Sequence, residues 1–332
     1  MTHFLSTRDF DRDQLEFLIK SGIEFKKRKS RGKPLEGKSV ALVFFNPSLR
    51  TRASMQVGIF ELGGNAVMLE PGGTSWTLEH EEGVVMDADK TEHLKEFASV
   101  LGRYVSAIGV RTFAELNNWY AERKDPILGA FANYSSVPVI NLESAMHHPC
   151  QAMADMMTIR EKFGQAKKKV LLTWAWHPKP LPMAVPNSFA LAAAQFGHDL
   201  RIAHPSGYEL DDELMAEVAS QAAANGGSVE VTHNVYEAFD DVDVVYAKSW
   251  GSKTFYGAPG TEVAFRTDMR NAWIVDDEKM SKTNDAVFMH CLPVRRNVIA
   301  ADSVIDSPSS IVIDEAENRL HIQKAILAAL IK

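Results

Sequence analysis

Little in this 332-residue chain points to a secreted, membrane-bound or nucleic-acid-binding protein. Two cysteines, Cys150 and Cys291, are too few for a disulfide framework, and no charged-then-apolar leader opens the chain, so a reducing cytoplasm is the expected compartment. No apolar run approaches the roughly 20 residues that a bilayer-spanning helix needs. Basic residues are in deficit, 36 Lys and Arg against 43 Asp and Glu, so the net charge of −7 leaves no surplus to neutralise a nucleic-acid backbone. Internal repeats and low-complexity tracts are missing as well. No Gly-x-Gly-x-x-Gly follows the first strand-like run and no Gly-x-x-x-x-Gly-Lys-Ser/Thr occurs, which argues against the dinucleotide and P-loop sites.

What is present is a long chain with 45% hydrophobic residues, enough to bury two cores. Residues 9–29 place Leu15, Leu18, Ile19 and Ile23 at helical spacing and end in a basic run. Residues 39–45 form a nearly uninterrupted apolar run, the pattern of a strand covered on both faces, stopped by Asn46-Pro47-Ser48. Ala53, Val57 and Phe60 then recur as one helical stripe. Strand-like runs return at 66–69, 107–110 and 137–142, and a second series follows at 170–174, 199–203, 228–231, 242–247, 273–275 and 287–290. Helical stretches lie between them. The expectation is an α/β protein with two open parallel-sheet domains, 1–148 and 149–314, and a final helix at 315–332 packing back on the first. Met153, Met156 and Met157 form an apolar face on the helix at the junction.

Three segments carry candidate chemistry. Ser48-Leu49-Arg50-Thr51-Arg52 stands between a buried strand and a helix, so free N–H groups, hydroxyls and guanidinium groups meet where a compact phosphate could bind. An ordinary serine cap with solvated arginines is the bland alternative. His147-His148-Pro149-Cys150-Gln151 opens another helix, where His148 could meet a carbonyl oxygen and Gln151 an amide. A metal reading of these residues is disfavoured because adjacent side chains diverge, and Pro149 by itself is an ordinary helix starter. His290-Cys291-Leu292-Pro293-Val294-Arg295-Arg296 ends an apolar run, the place where open α/β sheets bind ligands; Cys291 reads as a pocket wall and not as a nucleophile.

Together with Gly109-Val110-Arg111 and Glu317-Asn318-Arg319, these segments resemble the aspartate and ornithine carbamoyltransferase family from end to end. The resemblance implies a homotrimer with active sites shared between subunits, no metal and no organic cofactor. It implies that Ser48, Leu49, Arg50, Thr51, Arg111, His148, Gln151, Cys291, Leu292 and Arg319 hold carbamoyl phosphate, with Arg111, His148 and Thr51 catalytic. Trp76, on the loop 72–79, resembles the residue that related enzymes lend to a neighbouring site.

The acceptor is read from a departure. Ornithine enzymes of this family carry an aspartate in a Tyr-Thr-Asp-x-Trp stretch that meets the α-ammonium, whereas this chain has Tyr246-Ala247-Lys248-Ser249-Trp250. A lysine there repels an α-ammonium, and acylating that nitrogen removes the conflict. This segment, Asn141-Leu142-Glu143 and Trp174-Ala175-Trp176-His177-Pro178 resemble the N-acetylornithine and N-succinylornithine subgroup, which implies that Thr91, Glu92, Glu143, His177, Lys248, Cys291, Leu292 and Arg295 contact an N-acylornithine, and that the loop 178–186 belongs to a knotted path. Thr91 stands where acetyl-specific relatives have an acidic residue and succinyl-specific ones a proline, while Asn46-Pro47-Ser48, Cys150 and residues 314–326 resemble the acetyl enzymes, so the succinyl acceptor is expected only slightly ahead of the acetyl. An ordinary ornithine enzyme, a non-catalytic phosphate-binding regulator and an oxidoreductase are the rival readings. The regulator would have no reason to keep His148, Gln151 and residues 290–296 together.

Overall fold

A computed structural model gives the architecture of residues 2–27, 32–73 and 75–332. Arg28 and Lys29, at the expected end of the first helix, and Thr74, in the 72–79 loop, lie outside the described residues. The chain forms two compact units: Met1–Ala114, Tyr120–Cys150 and Asn318–Lys332 make the first, Glu115–Trp119 and Gln151–Glu317 the second.

In the first unit the strands are β1 (Ser39–Phe44), β2 (Asn65–Leu69), the short β3 (Leu78–Glu79) and β4 (Glu92–His93), β5 (Ala107–Arg111) and β6 (Val139–Glu143). Four of them form a parallel sheet in the order β2-β1-β5-β6, while β3 pairs with β4. Val40 to Phe44 and all of β5 are buried, as central parallel strands covered on both faces must be. Gly109 is required at the middle of β5, because a Cβ there would stand 2.9 Å from Leu142 Cδ1 and 3.0 Å from Leu42 Cδ2.

The helix Arg50–Glu61 corrects one expectation. Its buried face is Thr51, Met55, Gly58 and Ile59, and the apolar stripe read at 53, 57 and 60 points outward, with Val57 44% and Phe60 78% exposed. The reason is close approach by the helix Val312–Leu330: a Cβ on Gly58 would lie 3.3 Å from Lys324 Cγ and 3.4 Å from Leu320 Cδ1. A small residue therefore faces that helix, whose Lys324 ion-pairs with Glu61 at 2.6 Å.

The second unit holds β7 (Lys169–Trp174), β8 (Asp199–Ala203), β9 (Ser228–Thr232), β10 (Val244–Lys248) and β11 (Val287–Met289), all parallel in the order β11-β10-β7-β8-β9. Every residue of the helix Ala184–Gln195 is buried, which fits a sequence that is apolar around most of its circumference. The expected strand at 273–275 is not one. Only an isolated bridge joins Val275 to Ala300, and Trp273 serves as core, edge-on to Trp174 with centroids 5.8 Å apart. Residues 115–119 belong to this unit through Gly257, whose N–H donates to the Leu116 carbonyl at 2.7 Å, and through Trp119 packed edge-on to Tyr256.

Candidate active site

In the first unit, the residues just past β1, β5 and β6 converge. Ser48 Oγ accepts the Thr51 N–H at 3.2 Å, so the serine does shape the helix start, and Asn46 Oδ1 accepts the Phe113 N–H at 2.7 Å, tying the ends of β1 and β5 together. Arg52 ion-pairs with Glu70 and lies over the Phe44 ring, which makes it a structural residue. Arg50 is half-buried and Leu49 is 77% exposed. Thr51 Oγ1 is approached by Arg319 Nη2 at 3.0 Å and by Arg111 Nη1 at 3.5 Å.

Arg111 is buried, and Glu143 answers its charge with Oε2 2.6 Å from Nη1. The register between β5 and β6 slips after Val110, so that Arg111 pairs with Glu143 and not Leu142. Such an irregularity re-aims a side chain. The same Glu143 oxygen lies 3.4 Å from His148 Nε2, which joins Arg111, Glu143 and His148 into one cluster.

Asp125 builds the turn that presents His148. Its carboxylate accepts the Ser144 hydroxyl at 2.7 Å and the Ala145 and Met146 N–H groups at 2.8 and 3.4 Å. Burial pushes its acid up to about 6. Burial, aided by the Arg8 charge, lowers neighbouring His147 to about 3, and burial raises the Cys150 thiol to about 12, against a smaller opposing effect of Arg319. Cys150 is thus an inert thiol.

Trp76, Thr91 and Glu92 lie apart, on the segment from β2 to β4. Trp76 is 63% exposed, and the Thr91 and Glu92 N–H groups donate to the Thr77 carbonyl. Glu79 closes this segment: Oε1 accepts the His80 and Glu81 N–H groups and pairs with Lys90 at 3.0 Å.

In the second unit Gln151 Nε2 donates to Asp155 Oδ1 at 2.7 Å and to Glu315 Oε1 at 3.0 Å. Glu315 Oε2 accepts the His290 N–H at 2.9 Å, and burial, with Asp155 and Cys291 close by, raises its acid well above the usual range. His290 Nδ1 accepts the Leu292 N–H at 2.9 Å and shapes the turn carrying Cys291 and Leu292, where Leu292 has a φ of 52°.

His177, Arg295 and Lys248 form a second cluster in this unit. Arg295 Nε can only donate, so His177 Nε2, 2.9 Å away, is the acceptor and the ring proton sits on Nδ1, 2.8 Å from the Lys179 carbonyl. Burial first, and then the charges of Arg295, Lys248 and Arg266, lower His177 to about 4. Lys248 ends β10 opposite Trp174 of β7, and a buried aromatic group is tied together there: Trp174 Nε1 donates to the Trp250 carbonyl at 2.9 Å and Trp250 Nε1 to that of Tyr208 at 2.8 Å. Arg266 lies over both Trp174 and Tyr208 and pairs with Glu262 at 3.4 Å. A neutral imidazole between two cations suits a carboxylate ligand.

Sequence reasoning missed Asp125, Asp155 and Glu315. Asp155 was within reach, because it follows Gln151 by four residues and so shares its helix face. The other two left no such signal, since their partners are 19 and 164 residues away.

Each of the two parallel α/β units thus carries an arginine and histidine cluster at its strand ends, groups suited to a small anionic ligand. Residues 2–161 match the aspartate/ornithine carbamoyltransferase carbamoyl-P binding domain and residues 182–330 the Asp/Orn binding domain, so the chain belongs to the aspartate/ornithine carbamoyltransferase family. It is 50% identical to the N-acetylornithine carbamoyltransferase of Xanthomonas campestris pv. campestris, over 100% of this chain and 98% of that one. Identity to the N-succinylornithine carbamoyltransferase of Bacteroides thetaiotaomicron is 42%, over 93% of each. A solved N-acetyl-L-ornithine transcarbamylase in which a glutamate is replaced by alanine, complexed with carbamyl phosphate and N-succinyl-L-norvaline, superposes with a TM-score of 0.97 at 49% identity, covering 99% of this chain and 100% of that one.

Proposed function

We infer that this protein transfers the carbamoyl group of carbamoyl phosphate to the side-chain amine of an N-acylated L-ornithine, giving N-acylcitrulline and phosphate in arginine biosynthesis. The observation that carries the choice of acceptor is Lys248 beside His177 and Arg295: this cationic group favours a carboxylate and disfavours a free α-ammonium. The names of the relatives at 50% and 42% identity support the same reading.

In this reading Ser48 and Arg50 hold the phosphate, with Leu49, Cys291 and Leu292 lining the ligand. Thr51, Arg111 and His148 stabilise the oxyanion as the neutral amine attacks the carbonyl carbon. Arg319 supports Thr51, and Gln151 meets the carbamoyl amide. The amine, with an unperturbed pKa of ~10.4, gives up its proton to the departing phosphate as the C–O bond breaks. Glu143 competes with the ligand for Arg111 and turns toward the acceptor when carbamoyl phosphate binds. Arg295, Lys248 and His177 take the acceptor's carboxylate.

We assign the cytoplasm as the site of action and a homotrimer as the working state, with Trp76 acting in a neighbouring subunit's site. The outward Val57 and Phe60 and the exposed Trp76 support an apolar surface covered by another copy. Among the described residues no helix is long and apolar enough to cross a membrane. For the acyl group, uncharged Thr91 offers no repulsion to a succinyl carboxylate, and the complex of a relative's glutamate-to-alanine variant with a succinyl analogue supports that reading, so our proposal is succinyl only slightly ahead of acetyl.

The test is phosphate release from carbamoyl phosphate with ornithine, N-acetylornithine and N-succinylornithine in parallel, on wild type and Thr91→Glu. Release with an N-acyl acceptor and not with ornithine is expected, and Thr91→Glu should lower use of the succinyl substrate. Release with ornithine alone would overturn the acceptor class. Good use of acetylornithine only, unchanged by the mutation, would remove Thr91 as the selector.

A further inference from the structure

Strands β8 and β9 run parallel in register, with Ala203 opposite Thr232, so the next residue of each strand is a histidine beside a histidine. The His204 N–H donates to the Thr232 carbonyl at 3.2 Å, and the His204 and His233 rings lie 5.0 Å apart at 71°. After His204 the chain turns through Pro205-Ser206-Gly207, where Gly207 takes a φ of 89° that a side chain would resist. That turn returns Glu209 to the pair, its Oε1 accepting the Gly207 N–H at 2.9 Å. One donor atom from each of His204, Glu209 and His233 lies within 4.8 Å of the others.

The imidazoles are prepared as ligands. His204 Nδ1 is 2.9 Å from the Pro205 carbonyl, and His233 Nδ1 is 2.9 Å from the His204 carbonyl. A carbonyl can only accept, so each Nδ1 carries the proton and each Nε2 keeps its lone pair, the arrangement that orients metal-ligating histidines. His204 is buried and fixed, while Glu209 and His233 are exposed and can adjust. Ligands about 2.0–2.1 Å from a tetrahedral ion sit about 3.3 Å apart, a contraction that rotation of the two exposed side chains supplies. Lys253 opposes a cation here, but its ammonium is held by the Leu210 carbonyl at 2.9 Å and by Asp212 at 3.4 Å.

We propose that His204, Glu209 and His233 bind one Zn2+ per chain, through two imidazoles and a carboxylate with water completing the tetrahedron. The ion acts as a tie between the ends of β8 and β9. It also stiffens the 204–210 turn, whose Tyr208 carbonyl holds Trp250.

Zinc chloride titration of the full chain by calorimetry, with His233→Ala and Glu209→Gln alongside, tests this. Both positions are exposed, so the variants should fold. One Zn2+ per wild-type chain is expected, with affinity at least about tenfold weaker in each variant. Zn2+ should raise the wild-type melting temperature and leave that of His233→Ala unchanged. Cobalt should give the visible bands of a tetrahedral nitrogen and oxygen site. No zinc binding, equal binding by wild type and both variants, or a cobalt spectrum with thiolate charge-transfer bands would overturn the proposal.

Discussion

Arg319 Nη2 donates to the Thr51 hydroxyl oxygen at 3.0 Å across 268 residues of sequence, and Arg111 Nη1 approaches the same atom at 3.5 Å. The hydroxyl is thereby oriented, with its own proton free to point elsewhere. Arg319→Ala should leave a folded protein in which Thr51 can rotate, so turnover should fall while helix content by circular dichroism stays level. Unchanged turnover would remove Arg319 from the support of Thr51.

His148→Ala should lower turnover more than it raises the Michaelis constant for carbamoyl phosphate. Its bond to the carbonyl oxygen strengthens only as charge develops, and one such donor is worth about 2.7–4 kcal/mol. Steady-state kinetics decides; an effect confined to the Michaelis constant would contradict the role.

Glu143→Gln removes the carboxylate that pairs with Arg111 at 2.6 Å. Carbamoyl phosphate should then bind more tightly, because its dianion no longer competes with a fixed negative charge. Use of the acceptor should fall at the same time. Calorimetric binding of carbamoyl phosphate to the variant measures the first effect, and weaker binding would show that Glu143 does not compete.

Asp125 and His147 give opposite pH signatures. Asp125, pushed up to about 6, takes a proton in the folded chain while the unfolded carboxyl, near ~3.9, has released it. It therefore adds stability as pH falls through that window and loses it as pH rises. His147, held down to about 3, contributes stability above ~6.5 that is lost as pH falls. The two partly cancel in wild type. Asp125→Asn leaves His147 alone, so its urea midpoint should drop faster than that of wild type between about pH 6 and 4. Parallel curves would refute the assignment.

Arg266→Ala should be costly to the fold. Arg266 is fully buried, and its removal leaves Glu262 without a countercharge; breaking such a pair costs about 3–5 kcal/mol. Chemical denaturation gives the number, and a loss below about 1 kcal/mol would mean the pair is dispensable.

Both sheets were legible because buried parallel strands announce themselves as short apolar runs, and β1, β5, β7 and β10 are of that kind. The 53/57/60 stripe misled because periodicity finds an apolar face without saying what it meets. Here Gly58, a residue with no hydrophobic signal, is the one that lies against the helix carrying Lys324. Trp273 misled in the same way, since an apolar triplet can be core without pairing as a strand. Of the candidate site, the arginines and histidines were readable because their local motifs are distinctive. The supporting carboxyls were not: Glu315 reaches Gln151 from 164 residues away, and only folding brings them together.

The helix Val312–Leu330 passes from the second unit into the first at Asn318. On the ribosome this reverses the usual order of maturation, in which the part made first folds first. A nascent chain that has just emerged through Glu317 owns every residue of the second unit, yet its first unit still lacks the segment that brings Arg319 to Thr51 and Lys324 to Glu61. The first-made unit is the last to be finished, and a chain stalled before Asn318 would be born with its Thr51 hydroxyl lacking the shorter of its two arginine contacts.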